Sequence, residues 1–137
     1  MTEQHGHLHH VELYVSDLRK SLAFWRWLLG ELGYQLLDEW DDGESWKLEQ
    51  TYIVFVQVGD DFTEPRYDRR RVGLNHIAFH VASPADVDRL ATEVTKRGSR
   101  VLYGDRYPSE DHYAVYFEDP DGIKIELVAP KNGPLPA

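Results

Sequence analysis

The chain has 137 residues, 42% of them hydrophobic, with a formal net charge of -9 and no cysteine. That length suits one domain with a real core, and the acidic balance argues against a nucleic-acid partner, because phosphate binding needs clustered Lys and Arg; without thiols, any metal must be held by His and carboxylate. No stretch is apolar for long enough to cross a bilayer, and the first residues lack the pattern of a secretory signal, so a cytoplasmic protein with no membrane partner is expected.

Residues 1–7 read as a loose end leading into a histidine tract of His5, His7 and His9. Val11, Leu13 and Val15 then alternate with His10, Glu12 and Tyr14, the period of a half-buried strand. Ser16 or Asp17 can cap the helix that follows, whose apolar positions Leu18, Leu22, Trp25, Leu28, Leu29 and Leu32 keep helical spacing until Gly33 stops it. Strand-like runs follow at 34–39, 45–49 and 52–58, with Asp42 and Gly43 turning between the first two. The order is βαβββ.

Residues 60–72 read as a solvated linker, in which Arg66, Arg69, Arg70 and Arg71 form a basic run beside Glu64 and Pro65. The same order then repeats. A strand over 74–81 leads to Ser83 as cap, Pro84 at the first helical position and apolar Val87, Leu90, Ala91 and Val94 before Gly98. Strands at 100–103, 113–118 and 123–128 complete the copy, the last two joined by Asp119-Pro120-Asp121-Gly122, and the tail at 130–137 reads as loose. Superposing the copies puts His10 on His76, Val11 on Ile77, Leu13 on Phe79 and Val15 on Val81.

Strand parity gives direction to the chemistry. Ile77, Phe79 and Val81 share the oily face, which leaves His76, Ala78 and His80 opposite; His10 and Glu12 take the matching face in the first copy. In the last strand Ile123, Ile125 and Leu127 share one face, and Lys124, Glu126 and Val128 the other. Histidines and carboxylates converging on one face are candidates for a metal. Parity does not let both Tyr113 and Tyr116 point that way.

The strand-opening histidine in each copy, together with HHVELYVSDLRKSLAFW, WDDGESWKL, GLNHIAFHV and YAVYFEDPDGIKIELV, resembles the vicinal oxygen chelate superfamily of glyoxalases, bleomycin-resistance proteins and extradiol dioxygenases. The resemblance implies an α+β fold of two tandem βαβββ modules, 8–59 and 73–129, forming a cup-shaped mixed sheet with helices on its convex side. It implies one divalent metal, Mn, Fe, Co, Ni or Zn, held by His10, His76 and Glu126. It also implies a homodimer, in which His10 can join the other two ligands within one chain or across chains.

Glyoxalase I-like members carry a further glutamate at the mate of Glu126, whereas here the superposed stretch TYIVFVQV places Phe55 or Val56 there, with Gln57 next along. That departure weakens glyoxalase activity itself. The layout is closer to the fosfomycin-resistance thiol transferases, yet Glu12 stands where those enzymes have a small hydroxyl residue, and a phosphonate would be repelled there. The expected function is a metal-dependent enzyme of lyase, isomerase or thiol-transferase type, the metal acting as Lewis acid on neighbouring oxygens of a small molecule. Glu12 is the candidate general base, and His80, Tyr116, Gln57 and His112 are candidate substrate-binding residues. The rival reading is a non-catalytic, bleomycin-resistance-like binding dimer, which four Trp and eight Tyr would suit. An extradiol-type dioxygenase and a regulatory module with a vestigial site are lesser alternatives.

Overall fold

The structure, a computed structural model, describes residues 5–108 and 111–131. The chain divides into two compact units, Met1–Pro65 and Arg66–Ala137. Each holds a four-stranded mixed sheet and one helix, so the fold is α+β and built from tandem βαβββ modules. No helix among the described residues is long and apolar enough to cross a membrane.

In the first unit the elements are β1 (His10–Val15), α1 (Leu18–Glu31), β2 (Gln35–Trp40), β3 (Gly43–Leu48) and β4 (Thr51–Gln57), with sheet order β1-β4-β3-β2. The parallel β1–β4 pair is what a strand-helix-strand crossover produces. Of the two expected caps, Asp17 serves: its side chain accepts from the Lys20 amide, satisfying a donor left over at the start of α1. The buried stripe of α1 includes Leu22, Trp25, Leu28 and Leu29, and the Trp25 ring lies 5.1 Å from that of Phe55 on β4. Leu13 and Val15 are buried as well, so the apolar parity of β1 marks a core side.

The second unit comprises β5 (His76–His80), α2 (Pro84–Lys96), β6 (Val101–Pro108), β7 (His112–Glu118) and β8 (Lys124–Pro130), in order β5-β8-β7-β6. Ser83 caps α2 by accepting from the Asp86 amide, and its hydroxyl donates to the Asp86 carboxylate. Both helices stop in the same way. Gly33 and Gly98 adopt positive φ, and the amides of Tyr34 and Ser99 turn back to the carbonyls of Leu29 and Val94. The turn into β8 is pinned by buried Asp119, whose carboxylate accepts from the Asp121 and Ile123 amides.

Most strand boundaries differ from the sequence expectation by a residue or two, and β3 begins at Gly43 rather than at 45. β5 begins at His76 rather than at 74, and β8 extends to Pro130, so the last strand reaches into the segment expected to be loose; residues 132–137 of that tail lie outside the described residues. β6 continues to Pro108 instead of stopping near Tyr103. Tyr103 and Gly104 both take positive φ, 58 and 83°, and the register against β7 shifts between Val101 and Arg106. Gly104, just past the expected end at Tyr103, is part of a bulge, after which pairing resumes. At the β2–β3 turn Gly43 is required for a different reason: a Cβ there would lie 2.6 Å from the Phe55 carbonyl oxygen and 2.7 Å from the Trp40 ring.

Candidate metal-binding site

β5 and β8 pair in parallel with His76 opposite Lys124 and Ala78 opposite Glu126, and β7 places Tyr116 opposite Glu126. Ile125, Leu127 and Ala129 are fully buried, which leaves Lys124 and Glu126 on the alternate face. His76 reaches Glu126 on that face, Nε2 to Oε1, at 3.3 Å.

The other side of the His76 ring explains how it is set. Asn75 Nδ2 donates to the Arg69 carbonyl, which turns Asn75 Oδ1 toward His76 Nδ1 at 2.7 Å. The amide oxygen accepts, so Nδ1 carries a proton and Nε2 is the nitrogen presented to Glu126. An imidazole Nε2 and a carboxylate oxygen facing one another share either a proton or a cation. A ring oriented by a hydrogen bond through its other nitrogen is what a metal-ligating histidine needs. The donor set therefore fits two positions around a divalent ion.

In the first unit His10 occupies the equivalent strand position, exposed, with its ring stacked on Tyr52 at 4.6 Å and an interplanar angle of 6°. His9 Nδ1 lies 2.8 Å from His10 Nδ1, so one of these nitrogens donates to the other and His10 Nε2 takes no part in that hydrogen bond. Glu12 is exposed on the same face, opposite Val54. The register also corrects the expected mate of Glu126. His10 pairs with Tyr52 as His76 pairs with Lys124, so the position matching Glu126 is Val54, not Phe55 or Val56. No carboxylate stands there. Among the described residues no three His, Cys, Asp or Glu side chains are grouped to hold an ion.

The remaining expected site residues fall into two sets. Tyr116 lies beside His76, ring centroids 6.0 Å apart, and by parity His112 shares its face on β7 while His80 shares that of His76 on β5. Tyr113 goes the other way, as parity required: its hydroxyl donates to Asp88 on α2. Gln57 is engaged at the β1–α1 turn, accepting from the Leu18 amide and donating to the Ser16 and Val58 carbonyls. It shares the Phe55 side of β4, away from Tyr52 and Val54.

Two clusters escaped the sequence reading. Glu44 on β3 is 1% exposed and accepts from the Arg26 guanidinium at two atoms and from Trp46 Nε1. Burial pushes its carboxyl up, but these hydrogen bonds outweigh that and hold it below its ordinary value. In the second unit Lys124 is buried against Tyr103 and Tyr116. Strand alternation had put Lys124 on the Glu126 face, but nothing in the spacing showed that it would be covered.

Residues 7–127 match the model of the Glyoxalase/Bleomycin resistance protein/Dioxygenase superfamily. The chain is 54% identical over 126 residues to the uncharacterized protein YqjT of Bacillus subtilis, covering 90% of this chain and 98% of that one. The crystal structure of a Bacillus halodurans protein superposes with a TM-score of 0.89 at 52% identity, over 93% of this chain and 98% of the other. Glutathione transferase FosA of Serratia marcescens is 31% identical over 127 residues, which cover 88% of this chain and 78% of that protein.

Proposed function

The chain belongs to the Glyoxalase/Bleomycin resistance protein/Dioxygenase superfamily, and from that premise we propose that it is a divalent-metal-dependent enzyme acting on a small molecule with two neighbouring oxygens. The observation that carries this reading is the pairing of His76 and Glu126, with Asn75 fixing the histidine tautomer. His10, at the matching place in the first unit, is the third ligand, and in a homodimer the two units of one site can come from different chains. The donor set of two imidazoles and one carboxylate suits Mn, Fe, Co, Ni or Zn. When bound, such an ion supplies Lewis acidity that stabilises negative charge developing on substrate oxygen.

The protein's own groups supply the rest. Glu12, two residues from His10 on the same face, is the proton acceptor. Tyr116 walls the site beside His76, and His80 and His112 are polar groups at its margin. Val54, in place of a second acidic ligand, argues against the glyoxalase I reaction, in which a carboxylate at that position is both ligand and proton carrier. Lyase or thiol-transferase chemistry fits better.

Mixing two inactive variants tests both the ligand set and its distribution. His10→Ala and His76→Ala should each lose bound metal, and a refolded mixture should recover one site in each mixed dimer if ligands come from different chains. Metal retained by both single variants would overturn the assignment.

A further inference from the structure

Lys124 is 9% exposed, yet among the described residues it makes no ion pair. Its one hydrogen-bond partner there is the Tyr103 hydroxyl, at 2.9 Å, and its ammonium lies 5.3 and 5.4 Å from the ring centroids of Tyr103 and Tyr116. An ammonium has three donors, so two are left unused in a largely desolvated place. Aromatic faces attract a cation but do not neutralise it. The carboxylates nearest along the sheet are otherwise engaged: Glu118 is held by Arg69 at 2.6 Å, and Glu126 faces His76. A buried charge normally has a counter-charge, and none stands beside Lys124 among the described residues.

The local backbone brings Tyr103 against Lys124. Tyr103 takes φ 58°, a conformation that non-glycine residues seldom adopt and that persists where the surroundings impose it. Together with Gly104 it forms the β6 bulge, and the displaced tyrosine meets Tyr116 edge to face at 5.2 Å and contacts the Lys124 ammonium. Lys124 is opposite His76 in register and two residues from Glu126 on the same face of β8, a separation of about 7 Å along a strand. A ligand held by the His76–Glu126 pair would therefore extend toward the ammonium.

We propose that Lys124 and the Tyr103 hydroxyl form a carboxylate-binding subsite, and that the substrate is a small acid whose carboxylate sits there with a neighbouring oxygen at the His76–Glu126 pair. This rests on the metal reading above and narrows it to 2-oxo or 2-hydroxy acids and their relatives. The carboxylate accepts from the ammonium, while the Tyr103 hydroxyl, which accepts from Lys124, donates its own proton to the second carboxylate oxygen.

Oxalate, a carboxylate with vicinal oxygens, is the probe. Calorimetric titration of the metal-loaded protein should show at least a tenfold loss of affinity in Lys124→Met, at most about a threefold loss in Lys124→Arg, and an intermediate loss in Tyr103→Phe. Elemental analysis should find the same metal content in all four proteins. Wild-type oxalate affinity in a metal-bearing Lys124→Met protein would overturn the subsite while leaving the metal assignment intact. If the wild type holds no metal, the metal reading fails, and the metal-free protein tests the subsite alone. Oxalate should then change tyrosine fluorescence in wild type and not in Lys124→Met; no change in wild type overturns the subsite too.

Discussion

The two βαβββ units share their caps, their glycine stops and their strand order, but they bury charge on opposite faces of the sheet. Matching the registers pairs Tyr52 with Lys124, Val54 with Glu126, Ser45 with Tyr116 and Glu44 with Val115. In the first unit the buried charge is Glu44, joined to Arg26 of α1, so it fastens helix to sheet. In the second unit that place holds fully buried Val115, and the polar groups Lys124, Glu126 and His76 share the opposite face, where Lys124 is the buried one. One scaffold thus uses polarity to join helix and sheet in one copy and gathers it around His76 and Glu126 in the other.

Exchanging these residues is the severest way to break the comparison. Val115→Glu places a carboxylate among apolar neighbours with no guanidinium prepared for it and should cost about 4 kcal/mol, the magnitude of an uncompensated buried charge. Urea denaturation checks it, and loss of a cooperative transition for the second unit is the expected outcome.

The reverse exchange, Glu44→Val, should be milder, about 2 kcal/mol. Trp46 Nε1 loses its acceptor, while Arg26, whose side chain is 51% exposed, can return to water. This variant also isolates a pH effect. The Glu44 carboxyl is held below its ordinary value of 4.5, so its contribution is complete above that value and is lost as pH falls through the lower value of the folded state. Wild-type stability measured by denaturant between neutral pH and pH 3 should fall more steeply than that of Glu44→Val.

The caps should show the least difference between the copies. Asp17→Ala and Ser83→Ala each remove one side-chain acceptor at a helix start and should each cost about 1 kcal/mol, read from the shift in denaturation midpoint. A large inequality would mean that the units are less alike than their backbones.

Which of these features could be read beforehand follows from their range along the chain. Caps, glycine stops and the Asp119 turn are local, and strand alternation separated Tyr113 from Tyr116 correctly because it depends only on parity. The mate of Glu126 was displaced to Phe55 or Val56 because alternation sets the face of a strand, whereas the register of a parallel pair is set by the crossover and its packing. Glu44 and Arg26 are 18 residues apart and meet only when α1 packs on the first sheet. Lys124 was visible as an alternating residue. Its contact with Tyr103 comes at a residue of positive φ, which a tyrosine in a strand-like run does not announce.

The central claim is that His76 and Glu126 carry a metal for which the first unit has no acidic counterpart. Elemental analysis of untagged wild type and His76→Ala measures it directly. The account predicts about one divalent ion per chain in the wild type and a trace in the variant; the same metal content in both proteins would contradict it.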